Sequence, residues 1–251
     1  YLQFKFDEQW KTLKSYANHH GISLIGDIPI YVALDSADVW ANTEQFQLDH
    51  DLRPVCVAGC PPDAFSDYGQ KWGNPLYDWD RMEQDGFSWW KNRIRKSASL
   101  YDVIRIDHFI GVVRYYNIPA DGEPKNGFYL EGPGKKLVDA IDSARGNAKV
   151  IAEDLGVVVP EVQKLVKESG YPGMKILQFG FDGNAENEHA PHNHEKNYVV
   201  YIGTHDNDTL KGYIENASKD NLTFMMKYLG AANEQEIPEK MIQVLYMSPA
   251  D

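Results

Sequence analysis

Three short runs rich in Val and Ile, each leading into an acidic side chain, constrain the possible folds of this chain more than any other feature. They are Val103-Ile104-Arg105-Ile106 before Asp107, Lys149-Val150-Ile151-Ala152 before Glu153, and Tyr198-Val199-Val200-Tyr201-Ile202 before Gly203-Thr204-His205-Asp206. Runs of this kind, bounded by turn residues and separated by helical stretches, are what a parallel sheet covered on both faces requires. Burying an unpaired carboxylate is costly. Its recurrence at strand ends therefore points to a catalytic site rather than to packing.

Two further runs extend the pattern. Residues 22–32 read as a buried strand whose pairing ends near Pro29, because proline cannot donate to the ladder, and Asp27 again stands near its C-terminal end. Residues 174–179 read as another strand. Between the strands, apolar residues at three- and four-residue spacings predict helices over 7–20, 87–100, 137–144, 221–229 and 238–246. Another starts at Pro160 and stops at Gly170. Strands alternating with helices imply successive βα units in an α/β fold. Five such strands do not close a barrel. In a (β/α)8 TIM barrel, residues at strand C-terminal ends gather on one face as the active site, so Asp27, Asp107, Glu153 and Asp206 would converge there. An open doubly wound sheet could also bring them to one crevice, but the glycine-rich phosphate loop of that fold is missing.

The chain of 251 residues suits one barrel domain, and no uninterrupted apolar stretch in it approaches the ~20 residues of a membrane span. A formal charge of -12 repels nucleic acid and anionic lipid, and it favours a neutral substrate over a phosphorylated one. Cys56 and Cys60 lack a surrounding disulfide framework or partner ligands. They read as reduced thiols, consistent with a cytoplasmic location. His189, His192 and His194 have a spacing that could bind zinc, but no supporting carboxylates are identifiable, and no metal or cofactor is expected. The chain opens on Tyr1 rather than Met and enters almost at once into a helix. We therefore expect it to start inside a domain, with any targeting segment upstream and a plastid location open for a plant protein. Residues 34–99 lose periodicity and accumulate Pro, Gly and aromatic side chains. They read as a long inserted active-site loop region, since long loops in compact domains are usually functional. No linker marks a second domain, so residues 1–251 are expected to form one partial catalytic barrel domain.

The residues themselves carry a resemblance. Arg105-Ile106-Asp107-His108-Phe109, Ala152-Glu153-Asp154-Leu155-Gly156 and Gly203-Thr204-His205-Asp206-Asn207-Asp208-Thr209 resemble the catalytic segments of the 4-alpha-glucanotransferases, the amylomaltase or disproportionating-enzyme family. Gly26-Asp27-Ile28-Pro29-Ile30-Tyr31 and the segment from Gly69 to Tyr77 are similar to further segments of that family. Its members are roughly twice as long, so the resemblance implies the third to seventh βα units of a barrel. It also implies retaining double displacement on an α-1,4-glucan donor, with glucose or a maltooligosaccharide as acceptor and with no nucleic-acid or membrane partner. Asp107 would be the nucleophile, Glu153 the general acid/base and Asp206 the transition-state stabiliser.

The chemistry explains those assignments. A retaining enzyme needs one carboxylate to attack the anomeric carbon and a second carboxyl, about 5 to 5.5 Å away, to protonate the leaving oxygen. Arg105 lies two residues before Asp107 and so on the same strand face, where its charge favours an ionised nucleophile. By resemblance, Asp27, His108 and His205 lie around the glucose at the cleavage point, while Tyr31 matches only an aromatic strand-end position. Trp72 and Asn74 lie in the loop over the acceptor site, and Asp182 reaches the acceptor side. Phe65, Tyr68 and Tyr77 offer faces for stacking on glucose. Each has a plainer reading as well: a strand-end Asp can be a helix cap, Arg105 a salt-bridge partner, His205 a satisfied strand-end histidine, and the loop aromatics packing residues. His194, Ala64 and Cys60 depart from residues common in the family. The alternatives to transfer are a retaining α-glucan hydrolase or a catalytically inert oligosaccharide-binding fragment.

Overall fold

A computed structural model describes residues 1–62, 66–156 and 158–250. The chain forms two compact units, Tyr1–Tyr171 and Pro172–Asp251.

The first unit contains, in order, α1 (Leu2–His19), β1 (Ile25–Pro29), α2 (Ala37–Ala41), β2 (Cys56–Cys60), β3 (Gln70–Pro75), α3 (Trp79–Gln84), α4 (Ser88–Leu100), β4 (Val103–Asp107), α5 (Ile110–Val113), β5 (Arg114–Pro119), β6 (Phe128–Glu131), α6 (Lys135–Ala144), β7 (Lys149–Ala152) and α7 (Pro160–Ser169). The parallel sheet β1-β4-β7 positions the site. Its register sets Asp27 opposite Arg105, Pro29 opposite Asp107, and Ile106 opposite Ala152. Side chains alternate between faces along a strand. Ile104 and Ile106 therefore enter the core, while Arg105 and Asp107 share the other face.

Helices cover the core face. Helix α4 buries Trp89, Trp90 and Ile94, α6 buries Leu137, Val138 and Ile141, and α7 buries Val162, Leu165 and Val166. Each large apolar side chain so buried contributes about 1.5–3 kcal/mol before entropic costs. Pro160 opens α7, where a missing N–H costs nothing, and Gly170, at φ +73°, closes it in the left-handed region. Gly26 is required by close approach: a Cβ there would stand 2.0 Å from the ring of Tyr101. Along α1 the expected core-facing stripe is not formed. Leu13 and Tyr16 are exposed and only Ala17 is buried, although Trp10 Nε1 donates to the Leu100 carbonyl at 2.8 Å.

The stretch expected as a long loop builds half of a second, antiparallel sheet ordered β3-β2-β5-β6. Neither β2 nor β3 shows the usual alternation. Strand β2 is Cys-Val-Ala-Gly-Cys, and in β3 the first four residues are exposed. Gly59 permits the pairing, since a Cβ would lie 2.1 Å from the Gln70 carbonyl oxygen. Cys56 and Cys60 stand at opposite ends of β2 and are not joined by a disulfide.

The second unit pairs β8 (Gly173–Ile176) with β9 (Tyr198–Tyr201) in parallel and adds α8 (Leu210–Asn216), α9 (Lys219–Leu229) and α10 (Ile237–Met247). Leu177, Phe181, Val200, Met225, Leu229, Ile237 and Met241 form its core. The strand expected over 174–179 ends at Ile176 and turns into a 3-10 segment, Leu177–Gly180. Buried Gln178 holds that turn, its amide nitrogen donating to Ile202 and its side chain to the Asp208 carbonyl, both at 3.1 Å. Among the described residues no helix is long and apolar enough to cross a membrane.

Candidate active site

The C-terminal ends of β1, β4 and β7 assemble a connected set of charges. Arg105 Nη1 donates to both oxygens of Asp27, at 2.7 and 2.8 Å, and lies 2.9 Å from Asp107 Oδ1. Strand register causes this: Asp27 is Arg105's direct partner, and Asp107 is two residues along the same face. One guanidinium thus compensates two carboxylates.

Glu153, just past β7, is only 6% exposed. Its Oε2 accepts the His108 backbone N–H at 2.6 Å and its Oε1 that of Leu155 at 2.7 Å. Burial, followed by the charge of Asp107, pushes its carboxyl up to about 7. The two amides and Arg105 oppose the shift without cancelling it. Near neutral pH this group therefore holds a proton part of the time, beside a carboxylate whose charge is compensated.

His108 supplies its amide from a left-handed backbone, φ +53°, a conformation uncommon outside glycine and costing about 1 kcal/mol or more. Phe109 N bonds the Glu153 carbonyl at 2.8 Å, and Gly111 N bonds the His108 carbonyl at 2.9 Å. Burial lowers the His108 imidazole to about 4, so the ring is neutral at physiological pH. Trp72 of β3 meets that ring edge-on, with centroids 4.9 Å apart. The indole is 38% exposed, and its Nε1 donates to Gln70 Oε1 at 2.9 Å. Asn74, in the same strand, donates its side-chain amide to the Val32 carbonyl at 2.9 Å.

Two aromatic expectations change here. Tyr77 is fully buried and its hydroxyl donates to the Ile30 carbonyl at 2.6 Å, so it is a core residue and not a stacking face for sugar. Tyr31 is also buried, stacked on Tyr77 with centroids 5.9 Å apart and tilted against Trp72 at 6.3 Å. Tyr68 is exposed. Phe65 lies outside the described residues.

In the second unit the segment after β9 makes a tight polar turn. Asn207 Oδ1 accepts from Thr204 N at 2.8 Å and from Thr204 Oγ1 at 3.1 Å, and Thr204 Oγ1 accepts from Asp206 N at 3.2 Å. Asp206 and His205 both project into solvent, 3.6 Å apart, with the Asp206 side chain 73% exposed. Asp182 is exposed and its Oδ1 accepts from Asn184 N at 2.9 Å. The three clustered histidines are occupied locally. His189 Nδ1 accepts from Ile176 N, the two ring nitrogens of His192 meet Tyr228 and the Ala185 carbonyl, and those of His194 meet Ser248 and the His189 carbonyl.

The groups that sequence reasoning missed are mostly backbone amides. Those of His108 and Leu155 hold the acid, and no side-chain pattern announces an amide. Gln70 and Asn207, which brace Trp72 and the Asp206 turn, had no signal beyond their position within the matched segments.

Comparison with known proteins adds a separate line of observation. The profile of a family described as 4-alpha-glucanotransferase matches residues 1–251. The chain is 49% identical over 249 residues to the chloroplastic/amyloplastic 4-alpha-glucanotransferase of Arabidopsis thaliana, covering 99% of this chain and 43% of that protein. It is 46% identical over 254 residues to the 4-alpha-glucanotransferase of Clostridium butyricum, covering all of this chain and 52% of that one. An amylomaltase from Streptococcus agalactiae, solved in complex with acarbose, superposes with a TM-score of 0.94 at 40% identity over 99% of this chain and 50% of its own. The chain therefore spans about half the length of the relatives it matches, and its mixed α/β fold is similar to that of an amylomaltase.

Proposed function

Since the chain belongs to the 4-alpha-glucanotransferase family, we propose that it supplies the catalytic carboxylates of an enzyme that transfers α-1,4-glucan segments to the 4-hydroxyl of glucose or of another glucan. The single observation that carries this reading is Glu153, a buried carboxyl raised to about 7, held by two amides beside the Arg105-compensated Asp107. A pair of carboxyl groups whose environments push them toward opposite protonation states is the requirement for retaining glycoside chemistry.

In the proposed reaction the Asp107 carboxylate attacks the anomeric carbon of the donor. The glycosidic C–O bond breaks, and the leaving oxygen takes the proton from Glu153. Glu153, now ionised, then removes the proton from the acceptor's 4-hydroxyl as that oxygen displaces Asp107 from the sugar. Asp27, held by Arg105, and His205 would bind hydroxyls of the glucose at the cleavage point. Trp72 would cover the acceptor, with Asp182 beyond it. Asp206 would face the oxocarbenium-like transition state, where a fixed negative charge is most effective. Its exposed turn in the second unit is consistent with a side chain kept free for substrate. The five parallel strands are assigned to the third to seventh positions of a (β/α)8 barrel, with residues 34–99 as its insertion.

The test is incubation with maltotriose followed by separation of products by size. Transfer yields glucose together with glucans longer than maltotriose. Glucose and maltose alone would establish hydrolysis instead. A chimera placing this chain in the frame of the Clostridium butyricum relative repeats the assay with a complete protein. Inactivity of that chimera, if it folds, would leave oligosaccharide binding as the surviving reading.

A further inference from the structure

From the contact between Trp72 and His108 we infer that Trp72 is a positioning residue for the general acid: the indole pins His108 in its left-handed conformation, and that conformation aims the His108 amide at Glu153. The inference rests on Glu153 being the proton donor. It gives the acceptor-side strand β3 a second task, coupling the state of the acceptor site to the proton affinity of the acid.

Three observations on different elements meet at this point. His108 adopts φ +53°, which an L-residue holds only when its surroundings over-determine it. Its amide makes a 2.6 Å bond to Glu153 Oε2, short for an N–H donor. Its ring abuts Trp72, centroids 4.9 Å apart and planes at 87°, an arrangement that fixes ring position as well as contact. Trp72 in turn is held on both sides. Its Nε1–H donates to Gln70 Oε1 at 2.9 Å, and the Tyr31 ring lies with its centroid 6.3 Å away. Gly111 lies beneath this stack, where an added Cβ would stand 3.3 Å from the His108 ring and 3.4 Å from the Tyr31 hydroxyl, so the packing leaves little slack.

The consequence has a definite sign. A bond from an amide favours the charged carboxylate and lowers its proton affinity, and the His108 amide acts in that direction on Glu153. Releasing His108 should therefore raise the Glu153 titration. The other charged groups acting there are Asp107 and Arg105 from β4, with Asp27 of β1 bonded to Arg105; buried Asp154 is its neighbour in sequence. Lys71, the charged residue of β3, is tied to the Ala120 and Gly122 carbonyls.

The competing account is that the backbone alone fixes His108, through Phe109 N to the Glu153 carbonyl and Glu153 N to the Ile106 carbonyl at 3.1 Å. Leu155 donates to the other oxygen of Glu153, so its amide resonance in leucine-labelled protein follows the Glu153 titration whatever stands at positions 72 and 108. Trp72→Ala should raise the titration midpoint by about one unit, the value of losing one amide bond to a charged group, while Trp72→Phe, which keeps an aromatic edge, should leave it near the original. His108→Gly, which tolerates positive φ without a ring, should lie closer to the original than His108→Val, whose β-branch disfavours it. An unshifted midpoint in Trp72→Ala, in protein whose remaining amides are unchanged, overturns the inference. The titration needs no substrate, so its failure is distinct from failure of the maltotriose assay.

Discussion

Two strand ends in this molecule look alike in sequence and differ in physical character. At the end of β4, Asp107 is ion-paired to Arg105, and just past β7, Glu153 is buried and bonded to two backbone amides. After β9, Asp206 carries no such compensation and stands largely in solvent. The contrast shows that an acid at the end of an apolar run specifies a place but not a protonation state. In the proposed reaction the first pair would supply the nucleophile and the proton, whereas the exposed acid would only present charge.

Substitutions that separate the two strand ends test this contrast. Asp107→Asn should have the largest effect, lowering transfer from maltotriose on the order of 10⁴-fold or more, as expected when a nucleophile is removed. Retained turnover would end its assignment. Asp206→Asn should cost roughly 10²- to 10³-fold in kcat, the range for losing one electrostatic stabiliser, and should leave the Glu153 titration unmoved. A shifted titration would mean that the two acids are not independent.

A smaller effect appears in stability. Glu153 titrates near 7 when folded against 4.5 in the ordinary state, so between those values the folded protein binds the extra proton and stability falls as pH rises. Denaturation of the wild type should lose on the order of 2–3 kcal/mol across this window. Glu153→Gln, neutral throughout, should lose much less, and equal slopes in the two proteins would contradict the raised titration. Smallest is Asn74→Ala, which removes one side-chain bond from β3 to the Val32 carbonyl. It should lower the unfolding free energy by about 1 kcal/mol and raise KM for the acceptor more than it lowers kcat. A pure loss of kcat would argue that Asn74 acts on the acid instead.

Much of the fold could be read from the chain. The positions of β4, β7, β9, α4, α6, α7 and α9 follow from apolar periodicity and, for α7, from the Pro160 and Gly170 punctuation. Strands β2 and β3 could not be read, because neither has an alternating pattern; their order depends on pairing partners far along the chain, β5 with Arg114-Tyr115-Tyr116-Asn117 and, through it, β6. Tyr77 had a similar difficulty. An aromatic in a Pro- and Gly-rich stretch looks like a surface platform, and only the packing of Phe46, Trp79, Trp89 and Trp90 around it makes it core. For the candidate site, Asp107 and Arg105 were legible as neighbours because strand alternation is a simple rule, whereas the pairing of Asp27 with Arg105 depends on the register between β1 and β4.

By itself the sequence determined that acids end parallel strands, that Arg105 shares a face with Asp107, and that the motifs around them belong to one family. These follow from local periodicity and residue identity. Tertiary structure alone decided that Glu153 is buried, that the His108 and Leu155 amides hold it, and that Trp72 rests on the His108 ring. Burial and contact depend on segments distant in the chain, and a carboxyl's proton affinity depends on what surrounds it.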